Sequence, residues 1–186
     1  MEISNVLNRL SKYLLLPIFL LTIAFPSQAA MFLKLGDIQG ESTDPEHSDW
    51  INLLSVNEAI SRPTSSTDST RTRSSAVFED VGIGKELDKS SPKLREALAS
   101  GRVFPKAEIE LTTTCGAGAR EVYFKYELTN VSVTSISLNA SGSETAPVEE
   151  FSLNFEEIKW TYTILDESCN PGGTVEAIWS IETGSP

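Results

Sequence analysis

Two-residue alternation, repeated in run after run, is the feature that most limits what this chain can fold into. Ile109, Leu111 and Cys115 share one parity, and Glu108, Glu110 and Thr112 the other. Val122, Phe124, Tyr126 and Leu128 alternate with Tyr123, Lys125 and Glu127, and Phe151, Leu153 and Phe155 with Ser152 and Asn154. Ile158, Trp160, Tyr162 and Ile164 form another such set, and Val175, Ala177, Trp179 and Ile181 the last. Successive side chains of a strand point to opposite faces, so each run predicts a strand buried on one side. Shorter apolar runs over 31–38, 50–60, 77–83 and 131–138 add further strands. Gly116-Ala117-Gly118, Ser141-Gly142-Ser143 and Asn170-Pro171-Gly172-Gly173 separate them with turn chemistry.

A single helix is expected. Ser91 suits an N-cap, Pro92 the first helical position and Gly101 the C-terminal stop, with Leu94, Ala97 and Leu98 forming one apolar stripe. Many short strands with one helix indicate a mainly β, antiparallel sandwich or small barrel with the helix packed alongside. Residues 61–76 are rich in Ser, Thr and Arg and read as an extended loop, with Arg62, Arg71 and Arg73 its candidate contact residues.

The N-terminus reads as a leader. Arg9 and Lys12 precede an apolar stretch from Tyr13 to Phe25, and the small residues Ser27, Ala29 and Ala30 follow. That order is the secretory pattern, with cleavage expected after Ala29 or Ala30. The stretch is shorter than the ~20 residues a membrane-spanning helix needs. The domain expectation is therefore a signal peptide over 1–29 and one folded domain over 30–186, secreted or periplasmic and without a membrane attachment once cleaved. If Met31 is the true start, the chain instead assembles in the cytoplasm and is released.

Charge narrows the partners. The 186 residues carry a formal net charge of -11. Losing Glu2, Arg9 and Lys12 with the leader leaves 13 basic and 25 acidic side chains, a net charge of -12. An acidic surface repels phosphates, so nucleic acid is not an expected partner. One histidine and two cysteines cannot build a multi-histidine or four-cysteine zinc site. No cofactor is expected. Asp44, Glu46, His47 and Asp49 could offer oxygen ligands to a hard cation, but Pro45 and the missing glycine pattern favour a hydrated turn. His47 lacks a matching nucleophile motif, and Glu149-Glu150 and Glu156-Glu157 point to opposite faces if they lie on strands, so no enzyme is expected. Cys115 and Cys169 can pair after export, closing a loop worth about 3–5 kcal/mol, or stand as separate thiols.

Several spaced segments carry a resemblance. Met31-Phe32-Leu33-Lys34-Leu35-Gly36-Asp37-Ile38-Gln39-Gly40-Glu41-Ser42, His47, the run from Lys85 to Leu94, Tyr126-Glu127-Leu128-Thr129-Asn130-Val131, Glu149 to Phe155 and Trp160-Thr161-Tyr162 occur in order across the mature chain. The chain resembles the Hcp (haemolysin-coregulated protein) family of type VI secretion tube proteins. The resemblance implies an antiparallel β-barrel of two sheets with one flanking helix. It further implies a structural protein forming hexameric rings that stack into a hollow tube, carrying small effector proteins and meeting secretion-apparatus proteins. By the same resemblance the long loop reaches a neighbouring subunit and Asn57 faces the lumen. The leader and the lack of aromatic residues within Leu54–Ala59 depart from the family pattern. A periplasmic or extracellular binding module that keeps the fold without forming a tube is the other reading.

Overall fold

The alternating runs pair with one another much as their parity requires. The computed structural model describes residues 29–67, 70–73, 75–114, 120–142 and 146–185. Of the expected leader only Ala29 lies among them, and Cys115 falls outside them.

In chain order the strands are β1 (Ala30–Leu35), β2 (Ile51–Leu53), β3 (Ser55–Asn57), β4 (Ile60–Ser61), β5 (Thr64–Thr67), β6 (Thr70–Arg73), β7 (Val77–Phe78) and β8 (Val81–Glu86). The helix α1 (Ser91–Ser100) follows, then β9 (Val103–Thr114), β10 (Arg120–Asn139), β11 (Val148–Asn154), β12 (Glu157–Leu165) and β13 (Pro171–Ser180). The main sheet has the order β2-β1-β9-β10-β11-β8-β3, and all its pairings are antiparallel. The end strands β2 and β3 are consecutive in the chain, separated only by Leu54, whose N–H donates to Gly84 O at 2.7 Å. The sheet wraps round a core, and the polypeptide itself joins the two ends where no ladder does. This is why 50–60, expected as one strand, is broken: its first part pairs with β1 and its second with β8.

The expected two sheets are one hydrogen-bonded sheet that divides along β10. This strand has 20 residues, about 65 Å of extended chain, too long for a twisted sheet to keep in one flat layer. Its first half pairs with β12 and its second with β11, while β9 follows its other edge from Arg120 to Ser132 only. The change of partner falls at Asn130, which adopts a left-handed φ of 53°. There β12 and β13 leave the body as a two-stranded wing, attached to the sheet through β10.

Parity fills the core. Leu33, Leu35, Ile51, Val81, Ile83, Ile109, Leu128, Phe151, Leu153 and Ile158 are all buried. Leu94 and Ala97 of α1 close the same cluster. Gly101 stops the helix with a left-handed φ of 64°, its N–H reaching back to Leu98 O. The N-cap is Ser90, one residue before the expected Ser91. The Ser91 side chain instead turns inward into a polar cluster.

The described residues within 61–76 are not a structureless loop. β4 pairs with β7 and β5 with β6, so a narrow antiparallel arm projects from the body. The turn expected at 170–173 also shifts. Asp166 organises it by accepting the N–H groups of Ser168 and Asn170 at 2.8 and 2.9 Å, while Pro171 already opens β13.

Candidate assembly surface

Asn57 lies exposed on β3, on the side of the strand opposite Val56, which packs against the core. Cross-strand register extends its face across the neighbouring strands. Asn57 stands opposite Gly82, Gly82 opposite Ser152, and Ser152 opposite Ser135. The next row is Ser55, Gly84, Glu150 and Ser137. A bulge between Val133 and Ser135 turns Ser135 and Ser137 outward; without that extra residue their parity would point them into the core. The resulting wall is made of small polar residues, and Glu150 is the one charge in these two rows. Its hollow measures about 160 Å³, below the ~300 Å³ at which small-molecule pockets begin.

The wing has two unlike faces. On one, Lys125, Glu127, Lys159 and Glu176 cross-pair in ladders: Lys106 meets Glu127 at 2.5 Å, Lys125 meets Glu108 at 2.6 Å, and Lys159 meets Glu176 at 2.9 Å. Glu108 is held below the usual carboxylate range because Lys125 and Lys106 outweigh the upward push of burial. The other face carries Phe124, Tyr162 and Val175 in one row and Tyr126, Trp160 and Ala177 in the next. It continues the core outward, and among the described residues its far end is uncovered: Tyr162 is 46%, Ile164 50% and Val175 60% exposed.

The arm begins where this apolar face meets the body. Phe78 of β7 stacks on Trp160 and Trp179, with centroids 6.4 and 6.1 Å apart. Trp160 Nε1 donates to Glu58 Oε1 at 2.9 Å. Burial pushes the Glu58 carboxyl up, against hydrogen bonds from Trp160 and Tyr126. Burial, with the Glu58 charge beside it, pushes the Tyr126 hydroxyl up to about 12. Arg62 is exposed at the base of the arm and lines a cleft with Phe78 and Trp179. Arg71 and Arg73 lie on β6, and their side chains fall outside the described atoms. Cys169, in the wing turn, is disulfide-bonded.

The residues weighed for catalysis have structural places instead. His47 is buried, stacked on Phe32 at 4.1 Å, with both ring nitrogens 2.8 Å from carboxylates of Asp44 and Glu110. Arg120 then pairs with the second oxygen of Asp44 at 2.8 Å. Asp49 is turned away to Lys89 and Glu46 is exposed, so the acidic run does not converge on one point. Glu149 and Glu150 do face opposite ways, as alternation requires, and Glu149 is fully buried.

Sequence reasoning missed what Glu149 pairs with. Lys85, also fully buried, sits across the ladder from it, with Nζ 2.9 Å from Glu149 Oε1 and 2.7 Å from Asp88 Oδ1. Lys85 Nζ also donates to Ser91 Oγ at 3.1 Å, Ser91 Oγ donates to Glu149 Oε1, and Arg95 lies 2.8 Å from Glu149 Oε2. The signal was present: Val81, Ile83 and Lys85 share the inward parity of β8.

With this fold and these faces in place, residues 32–162 match the family described as "Type VI secretion system effector, Hcp". The chain belongs to the Hcp family. Protein hcp1 of Pseudomonas aeruginosa is 31% identical over 153 residues, covering 81% of this chain and 94% of that protein. The major exported protein of the same organism is 25% identical over 134 residues, covering 69% of this chain and 77% of that one. A solved structure of a type six secretion system protein superposes with a TM-score of 0.78 at 27% identity, covering 85% of this chain and 99% of the other. Hcp1 from Salmonella typhimurium superposes with a TM-score of 0.70 at 26% identity, covering 84% of this chain and 97% of the other. The Hcp fold thus accounts for the sheet body and the helix packed on it.

Proposed function

We propose that this Hcp-family chain is an exported structural subunit, without enzymatic activity, that closes into hexameric rings which stack into a tube and carry small effector proteins. The observation that carries the reading is the apolar face of the wing. A continuous row of large apolar side chains left uncovered at the end of an otherwise well-filled core marks a protein-protein contact. Head-to-tail ring closure needs two complementary patches on one chain, and the wing face and the arm, with Arg62, Arg71 and Arg73, are suited to those roles. The small polar wall around Asn57 then becomes the lumen lining. Serine and asparagine offer a passing or resident protein hydrogen bonds, and the glycines between them add no apolar anchor.

Export fits the Cys115–Cys169 bridge, which we assign as the pairing of the disulfide that holds Cys169. It would tie the β9–β10 connection to the wing turn beyond the last β10–β12 ladder pair, Phe124 with Tyr162. Light scattering coupled to size exclusion, with electron microscopy of the mature protein, tests the assembly. Hexameric rings are expected. A single-subunit mass at high protein concentration refutes the ring and leaves the non-tube binding module as the reading.

A further inference from the structure

We propose that the arm tip of one copy seats in a hollow at the base of the same hairpin in a second copy, joining copies head to tail in an open row; this rests on the stacking part of the reading above. The arm is the far part of one long hairpin. Asn57 pairs with Gly82 at the end of the β3–β8 ladder, and the N–H of Glu79 then donates to Ala59 O at 3.0 Å. The β4–β7 and β5–β6 ladders follow in nearly the same register, as far as Thr67 and Thr70. From Leu54 to Thr67 this is about 45 Å of extended chain.

The two ends of the hairpin carry opposite chemistry. At the base, Leu54 precedes β3 and Leu87 follows β8, and they are 53% and 43% exposed. Their backbone is fixed all the same, since the N–H groups donate to Gly84 O and Pro147 O. Both leucines line a hollow of about 230 Å³ with Glu41, Glu86 and Asp88. Lys85 answers Asp88 and Lys89 is drawn off to Asp49, so Glu41 and Glu86 stand exposed without a cation among the described residues.

At the tip the sign reverses. Residues 61–75 hold Arg62, Arg71 and Arg73 against Asp68 alone, in a chain whose net charge is -11. Thr64, Thr67, Thr70 and Thr72 add methyl groups to the same ribbon. An arginine can lay its methylene stem on the leucines and offer its guanidinium to Glu86, which answers both halves of the hollow. Within one copy the pairing cannot form, because tip and base are opposite ends of one element. Between copies it is a heterologous contact, and a step taken chiefly along the hairpin repeats without closing. Arg62 lines the cleft beside Phe78 and Trp179 at the arm's foot, so ring closure and stacking call on different parts of the arm.

The test is cross-linking of the mature protein. Leu87→Cys combined with Thr70→Cys sets one thiol in the hollow and one at the tip. After oxidation, denaturing electrophoresis without reductant is expected to show a ladder of linked chains that continues past the six subunits of one ring. Adding Arg71→Glu and Arg73→Glu should cut the ladder about tenfold or more, since like charges opposed in an interface are strongly unfavourable. Adding Glu86→Arg to those changes should restore it. Leu54→Cys, on the same floor, repeats the test should Leu87→Cys fail to fold. A hexamer by light scattering that gives no ladder, or one that stops at six chains, overturns this inference and leaves the ring reading standing. A ladder indifferent to the arginine changes also overturns it. A single-subunit mass with no ladder overturns the ring reading and this inference together.

Discussion

Replacing Lys85 by methionine removes one partner of a buried charge and keeps most of the side-chain volume. In the native protein, Glu149 is fully buried, with Lys85 Nζ, Ser91 Oγ and Arg95 Nη1 at 2.9, 2.5 and 2.8 Å. Of the two cations, Lys85 is sealed inside and Arg95 is 39% exposed, so water screens the partner that would remain. Breaking a buried ion pair from one side costs about 3–5 kcal/mol, chiefly because a desolvated charge is left behind. That is a large share of the ~5–15 kcal/mol that holds a typical domain together. At about 2–4 °C per kcal/mol for a domain of this size, melting should fall by roughly 6–20 °C. Denaturant and thermal unfolding followed by near-ultraviolet circular dichroism measure it. The double change Lys85→Met with Glu149→Leu should recover most of the loss, since apolar replacement of a whole buried pair is often neutral. A single variant costing under about 1 kcal/mol would refute the reasoning, as would a double variant less stable than the single. The pH dependence has a fixed sign. Burial raises the Glu149 carboxyl, but hydrogen bonds from Lys85 and Ser91, with the Arg95 guanidinium paired beside it, outweigh it and hold the group below its ordinary 4.5. Its contribution is therefore complete above pH 4.5 and is lost as pH falls through the lower folded value.

Other expectations follow from single residues. A Cβ at Gly40 would run into the backbone of Trp50 and Ile51, so Gly40→Ala should destabilise the chain by about 2 kcal/mol or more in urea unfolding. Val175→Asp puts a charge on the exposed apolar face, and is expected to reduce assembled mass by light scattering while leaving the subunit's melting temperature within a few degrees. Non-reducing mass analysis of the exported protein should show the loss of two protons through the Cys115–Cys169 bridge; full thiol labelling without reductant would exclude it. With a net charge of -12 per mature subunit, assembly should strengthen between low and moderate salt as like-charge repulsion is screened, which sedimentation at two ionic strengths checks.

Elements whose faces differ were legible in the sequence. Ile109, Leu111, Tyr126 and Leu128 announce their strands because one side meets a core and the other meets water. The arm was not legible for the same reason. Thr64–Thr67 and Thr70–Arg73 form a ribbon with no large apolar residue, so no alternation betrays them. The breaks at Leu54 and at Glu79-Asp80 were also hidden, because they reflect which distant strand each half pairs with. Asn57 was placed by resemblance, but the wall around it depends on four strands held in register and on one bulge. Nothing local in the sequence marks either. The inward turn of Ser91 reflects the pull of Lys85 and Glu149, against a local pattern that fits Ser90 and Ser91 equally well as caps.

The partner change at Asn130 has a mechanical meaning. The wing's ladder to the body consists of six residue pairs, Phe124–Thr129 against Glu157–Tyr162. A pull on the wing along the strand axis loads all six together in shear, whereas a pull across it opens them one at a time from the Phe124 end. If a neighbouring subunit grips the apolar face, the direction in which it tugs decides whether this joint behaves as a rivet or as a zip. A bridge from Cys169 to Cys115 would lie just past the end where unzipping starts.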